Sequence, residues 1–146
     1  MSEMCRKCGA KCCQYFCFQI DKPTTYAEFE DVRWYLCHAG VSVHIDEGDW
    51  FISILNPCQF VSPEGECTSY ADRPLICRKY SIDNCDMTCG DYGYEEHFLS
   101  PQELDTYAQK TLGLRTYEAA KARHRARLEP TPLKAKAAKK VLGLRS

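Results

Sequence analysis

Apolar residues occupy every second position over residues 41–45 and again over 50–54, with the turn 46–49 between the two runs. Period-two alternation on both sides of a turn that contains Asp and Gly predicts a β-hairpin with one buried face. Ser42 and His44 fall on the polar positions of the first run, so we expect both side chains to face solvent.

The preceding segment, Tyr26–Ala39, has the spacing of an amphipathic helix. Thr25 and Glu28 form a predicted capping box at its start, and Gly40 is placed to end it. Cys37 falls in the last turn of this helix, where we expect a small buried side chain. The apolar residues that define the helical spacing are Phe29, Val32 and Leu36.

Two shorter elements are predicted from local signals. Gln14–Ile20 is rich in aromatic residues and indicates a strand. Asp72 as a cap, followed by Pro74 in the first turn, predicts a short helix over about residues 73–80.

The last third of the chain predicts helices. Ser100 with Glu103 forms a second capping box, for a helix that ends at Gly113. Residues 116–128 and 133–142 are rich in Ala, Lys and Arg and predict two more helices. Together these patterns predict an α+β fold: a small cysteine-rich, metal-stapled domain with a β-hairpin and several short helices, followed by a helical basic C-terminal extension.

Charge is divided unevenly along the chain. Residues 1–114 carry 9 Lys and Arg against 18 Asp and Glu, a net charge of −9, whereas residues 115–146 carry 10 against 2, a net charge of +8. We therefore expect a cysteine-cluster metal-binding domain over 1–114 and a basic, helical tail over 115–146. The tail could contact nucleic-acid phosphates or a protein partner, or dock on the acidic body, although Tyr117 is its single aromatic residue for base stacking.

Eleven of the 146 residues are cysteine, close to the level of a cross-linked scaffold. The first residues contain no apolar run of signal-peptide length, and no later segment is long enough to span a membrane. We therefore expect a cytoplasmic protein with no membrane partner, in which thiols stay reduced and bind metal. The odd number of cysteines also argues against a fully paired disulfide framework.

Four cysteines lie within nine residues, at Cys5, Cys8, Cys12 and Cys13. The spacing of the first pair lets two thiolates reach one metal ion. Adjacent side chains in an extended segment point to opposite sides, so the last two either feed two centres or one of them packs. We expect the remaining ligands from a second cysteine-rich region, at Cys58, Cys67, Cys77 and Cys85. Eight thiolates would fill two four-thiolate sites.

Thiolate ligands select zinc or iron–sulfur clusters over magnesium or calcium, and the spacing does not choose between the two. A closed four-thiolate zinc site would be structural. An iron–sulfur cluster would instead indicate electron transfer or redox-assisted chemistry. The expected cofactor is therefore zinc or iron, the latter including an iron–sulfur cluster.

A longer pattern joins the two cysteine-rich regions over about residues 5–85. It consists of the stretches Cys5 to Cys13, Pro57 to Val61, Glu64 to Tyr70 and Arg73 to Tyr80. In this pattern the chain resembles the YkgJ-type cysteine-cluster family, described as zinc- or iron-chelating. Three residues separate Cys8 from Cys12 here, where the family has two. Similar cysteine motifs occur in flagellin lysine methylases, so the resemblance implies a link to methyl transfer.

Three functions stay open on this basis. The first is a cytoplasmic protein that chelates zinc or an iron–sulfur cluster through a split cysteine cluster. The second is an iron–sulfur-dependent redox or methyl-transfer enzyme, and the third is a zinc module that presents a basic tail to nucleic acid. No catalytic residue is named, because the sequence has no glycine-rich phosphate loop and no Ser/His/Asp set.

Overall fold

The computed structural model describes residues 7–80 and 93–128 and confirms the α+β class. Four antiparallel strands form one sheet in the order β1-β3-β2-β4, and helices pack on one of its faces. The elements are β1 Tyr15–Ile20, α1 Tyr26–Leu36, β2 Val41–Asp46, β3 Asp49–Leu55, α2 Leu75–Lys79, β4 Glu96–Phe98, α3 Pro101–Leu112 and α4 Leu114–Leu128.

Strands β2 and β3 form the predicted hairpin, and the turn between them determines which residues of the two strands lie opposite each other. Glu47 and Gly48 both have positive φ, 50° and 83°, as a two-residue turn between right-twisted strands requires. Val43 then pairs with Ile52, and these apolar partners face the helices. The alternation of apolar and polar residues in the sequence therefore predicts the buried face of the hairpin correctly.

Strands β1 and β4 form the two edges of the sheet. β1 confirms the predicted strand and pairs antiparallel with β3, with Tyr15 opposite Leu55 at one end and Ile20 opposite Trp50 at the other. β4 was not predicted, because three residues are too few to show alternation. It pairs with β2 and adds Phe98 to the buried face.

Helix α1 starts as predicted, since the Thr25 hydroxyl accepts from the Glu28 amide and the Glu28 carboxylate accepts from the Thr25 amide. It ends at Leu36, three residues before the predicted end. Cys37 is its C-terminal cap residue and is exposed, so the expectation of a buried side chain is wrong. The buried face of α1 ends with Leu36, and the next position along the helix lies off that face.

One cluster of buried residues joins the sheet to three helices. Trp50 lies at its centre, where its ring contacts the rings of Phe29, Phe98 and Tyr107. Burial of large aromatic side chains of this kind dominates the stability of small domains. The buried members are Tyr26, Phe29, Val32, Leu36, Val43, Ile45, Trp50, Ile52, Phe98, Leu104, Ala108, Tyr117 and Ala120. None of them is a cysteine.

Helix α4 confirms the helix predicted over 116–128 and packs against the body. Tyr117 is 2% exposed, and its hydroxyl donates to Asp105 on α3 at 3.2 Å. Asp105 also pairs with Arg33 of α1 at 3.4 Å. Three helices are thereby joined at one polar cluster. The helix predicted over 133–142 lies outside the described residues.

His44 departs from the prediction of a solvent-facing side chain, since it is only 7% exposed. Its ring lies between Phe51, 5.3 Å away on β3, and Tyr94, 4.2 Å away in the segment before β4. The polar side of the hairpin is therefore partly covered by aromatic rings. His38, which follows the last turn of α1, is exposed. In the two described ranges, no helix has the length and apolar character needed to cross a membrane.

Candidate metal centre

The first half of the candidate centre is a short 3₁₀ turn, Lys11–Cys13, that leads into β1. Gly9 and Ala10 enter it with positive φ, 65° and 52°, and Ala10 is buried. The Cys13 amide donates to the Ala10 carbonyl at 2.8 Å, which closes the turn. Cys12 and Cys13 therefore do not lie in the extended segment that the sequence suggested, and the argument that they point to opposite sides fails.

The second half begins where β3 ends. Cys58 starts a turn in which its carbonyl accepts from the Val61 amide at 3.1 Å. A second turn, from Ser62 to Gly65, reverses the chain, and Val61 bridges to Cys67. Cys58 and Cys67 thus flank a tight loop.

Helix α2 carries Cys77 and is shorter than predicted. Pro74 is its cap residue, and Asp72 belongs to a preceding 3₁₀ turn, so the predicted cap by Asp72 is wrong. Pro74 has no amide hydrogen to donate, and its ring restricts the backbone φ angle at the start of the helix. Arg78 ties the helix to this turn through hydrogen bonds to the carbonyl oxygens of Arg73 and Ala71.

Two backbone contacts join the halves. The Cys58 amide donates to the Cys13 carbonyl at 2.7 Å. Gly65, with φ of 76°, lies so near Gly9 that a Cβ atom added there would be 3.5 Å from the Gly9 backbone. The two cysteine-rich regions, separated by 44 residues of chain, are therefore in direct contact.

The electrostatics of Cys13 show that three segments share one neighbourhood. Its pKa is raised, chiefly because burial disfavours the thiolate. Negative charge on Cys58, Cys67 and Cys77 raises the pKa further, whereas a hydrogen bond with the Cys12 thiol lowers it. Since coulombic coupling falls with distance, the thiols of Cys58, Cys67 and Cys77 lie close enough to Cys13 to oppose its ionisation.

A shallow cleft of about 450 Å³ opens beside this junction. It gives solvent access to the thiols at the end of the sheet where β1 begins and β3 ends. The residues that line it are Cys12, Cys13, Tyr15, Phe16, Asn56, Pro57, Cys58 and Gln59. An ion entering from solvent would reach both halves of the centre by this route.

The predicted ligands differ in exposure. Cys12 and Cys58 are exposed, and the four others in the described ranges are half-buried: Cys8, Cys13, Cys67 and Cys77. Cys5 and Cys85 lie outside the described residues. Over 7–80 and 93–128, no three Cys, His, Asp or Glu side chains are arranged as ligands of one metal ion. The backbone brings the cysteines into proximity, and metal ligation requires their side chains to adopt rotamers that point towards one ion.

Sequence reasoning missed both contacts that bring the halves together. The Cys58–Cys13 bond uses backbone atoms, which leave no mark in the residue types. The positive φ of Gly65 had a signal, because a Ser-Pro-Glu-Gly turn commonly needs glycine at its end. The contact of Gly65 with Gly9 could not be inferred, since the residues around each glycine give no information about the distant segment.

Comparison with known proteins supports metal chelation by this chain. A family model named CxxCxxCC, with the description "Putative zinc- or iron-chelating domain", matches residues 4–124. That range includes both cysteine-rich regions, the whole sheet and most of α4. No curated protein and no solved structure matches the chain.

Proposed function

Because this chain belongs to the CxxCxxCC family, we propose that it is a cytoplasmic protein that binds zinc or iron through a split cysteine centre. The proposed ligands are Cys5, Cys8, Cys12 and Cys13 from the N-terminal cluster, with Cys58, Cys67, Cys77 and Cys85 from the second region. The iron form includes an iron–sulfur cluster, since both suit thiolate ligands.

The observation that carries the proposal is the hydrogen bond from the Cys58 amide to the Cys13 carbonyl. It holds two cysteine backbones from distant parts of the chain against each other. A folded chain that presents thiols in this way has already overcome the entropy of bringing the two regions together. The metal then needs side-chain rotation and small loop adjustments to complete its ligand set.

Electrostatics give the metal its driving force. Burial raises the pKa of Cys13, and repulsion from the neighbouring thiolates raises it further. A divalent cation among these sulfurs replaces repulsion by attraction and favours the deprotonated form. Binding therefore releases protons, and its affinity is expected to rise with pH.

The test is elemental analysis together with an absorption spectrum on the full chain, prepared without oxygen. Stoichiometric zinc in colourless protein supports a zinc centre. Iron with absorption near about 400 nm that dithionite bleaches supports an iron–sulfur cluster. Protein that retains neither metal after reconstitution under reducing conditions overturns the proposal. Two metal ions per chain would favour two four-thiolate sites over one.

A further inference from the structure

Two histidines face each other on the side of the sheet that the helices leave uncovered. His44 on β2 and His97 on β4 are direct register partners in the antiparallel pair. Their ring centres are 6.3 Å apart, and the rings are nearly perpendicular, at 87°. Neither residue belongs to the cysteine centre, and neither was assigned a role by the sequence.

The separation of the two rings is close to what one metal ion requires. A histidine nitrogen binds zinc at about 2.1 Å, so the ring centre lies about 3.2 Å from the metal. Two histidines on one ion therefore have ring centres about 5.2 Å apart at a tetrahedral angle, and about 6.4 Å apart when the two nitrogens lie on opposite sides of the ion. The observed 6.3 Å exceeds the tetrahedral value by about 1 Å, and rotation of the exposed His97 side chain can close that difference.

The surroundings hold His44 in place as a neutral ring. It is stacked between Phe51 and Tyr94, and Tyr94 also contacts His97, with ring centres 5.1 Å apart. The pKa of His44 is lowered, chiefly because burial disfavours the charged ring and then because of His97. A neutral imidazole is the form that binds a metal.

Carboxylates lie beside the pair. Asp46 follows His44 by two residues, so it projects from the same face of β2, and its charge acts on the His44 ring. Asp46 lies directly opposite Asp49 in the register of the hairpin. Glu95, two residues before His97, donates its amide to the Ile45 carbonyl at 2.9 Å and so lies next to the end of β2. Negative charge at this end of the face favours a cation.

We propose that His44 and His97 form a second site, independent of the cysteines, that binds one divalent transition-metal ion of the class suited to imidazole, such as zinc or nickel. Among the described residues no third side chain completes a ligand set there. The other coordination positions are therefore filled by water. A site with two protein ligands exchanges its ion readily, in contrast to a closed thiolate site.

The test is a nickel titration of the full chain, followed by NMR of the histidine ring protons. Paramagnetic Ni²⁺ broadens signals only close to where it binds, so nickel on the cysteines does not imitate the effect at this face. We expect the His44 and His97 signals to broaden together, at a nickel concentration lower than that for His38 by on the order of 100-fold, as chelation by two linked ligands gives.

Matched variants separate the pair from single-histidine binding. In His97→Gln, broadening of His44 should require nickel at the level seen for His38, whereas His38→Gln should leave the His44 response unchanged. His97 and His38 are both exposed, which limits effects on folding. The proposal is overturned if His44 and His97 respond no earlier than His38 in the unmodified chain, or if His44 keeps its affinity in His97→Gln.

Discussion

The backbone amide of Cys58 donates a 2.7 Å hydrogen bond to the carbonyl oxygen of Cys13. Each residue leads or follows a strand: Cys13 lies two residues before β1, and Cys58 lies three residues after β3. Because β1 and β3 are neighbours in the sheet, the pairing that builds the fold also brings the two cysteines together. The candidate metal centre is therefore an extension of one end of the sheet.

Replacement of Cys13 or Cys58 should reduce metal binding without unfolding the hydrophobic core. We expect Cys13→Ser and Cys58→Ser to lower the metal content per chain at least twofold and to lower Tm, because a serine hydroxyl is a poor ligand for a soft metal. Far-UV circular dichroism should keep most of its helical signal, since no cysteine belongs to the buried cluster. Cys37→Ser, at an exposed thiol after α1, is the control and should keep full metal content. Equal metal loss in the control would contradict the assignment.

Two glycines allow the contact between the halves to be tested separately from backbone strain. Gly65 and Gly48 both have positive φ, 76° and 83°, so alanine at either should cost about 1 to 2 kcal/mol of unfolding free energy. An added Cβ at Gly65 would be in ordinary van der Waals contact with the Gly9 backbone, 3.5 Å away, whereas no atom lies within 4 Å at Gly48. Any loop movement that relieves the backbone strain at Gly65 therefore also changes the contact between the two halves. We therefore expect Gly65→Ala to reduce metal content as well, and Gly48→Ala to leave it unchanged. Metal analysis and chemical denaturation of both variants measure the two effects, and equal metal retention would show that the Gly65 contact is not needed.

The boundary predicted between residues 114 and 115 can be tested by truncation. A chain that ends at Gly113 loses Tyr117 and Ala120, which are 2% and 6% exposed. We expect it to be less stable by about 3 to 5 kcal/mol, as for loss of a buried aromatic side chain. A chain that ends at Leu128 keeps every residue of the buried cluster and should unfold at nearly the Tm of the full chain. Nucleic-acid binding by 115–146 stays a prediction, and gel-shift assays on the second truncation would locate it.

Tyr117 should make the protein sensitive to alkali. Burial and the neighbouring Asp105 raise its pKa from 10.0 to about 12. The folded state thus keeps a proton that the unfolded chain releases, so this contribution to stability is complete below pH 10 and is lost as pH rises through about 12.

The matched variant is Tyr117→Phe, which removes the titrating group and its hydrogen bond to Asp105. Near neutral pH it should be less stable by about 1 kcal/mol. Between pH 10 and 12 the difference should shrink, because only the unmodified protein loses stability through Tyr117. Denaturation curves at several pH values measure this, and a constant difference would show that Tyr117 does not titrate with the pKa shift assigned to it.

Local chemistry made much of this fold predictable. The alternation over 41–54 gave both hairpin strands, and the capping boxes at Thr25 and Ser100 gave the starts of α1 and α3, where each hydroxyl accepts from an amide three residues on. These signals act between neighbours in the chain, so the sequence records them directly. The grouping of cysteines predicted a metal family for the same reason.

Features made by distant segments were not predictable. His44 occupies a polar position of its strand, and its ring is covered by Phe51 on one side and by Tyr94, 50 residues later, on the other. Strand β4 depends on β2 for its pairing and has no pattern of its own. The contact of Gly65 with Gly9 likewise arises only after the sheet has aligned the two regions. In each case the physical cause is long-range packing, which residue types alone do not encode.

The pairing of Tyr15 with Leu55 links the proposed metal centre to the register of β1 against β3. A slip of β1 by two residues would keep its side chains on the same faces and shift it by about 7 Å along β3. Such a slip would also move Cys13 away from Cys58 and separate the thiols of the proposed ligand set. Only the correctly aligned sheet can then gain the free energy of metal binding. A bound ion would therefore favour the correct register of β1 against β3 over the shifted one.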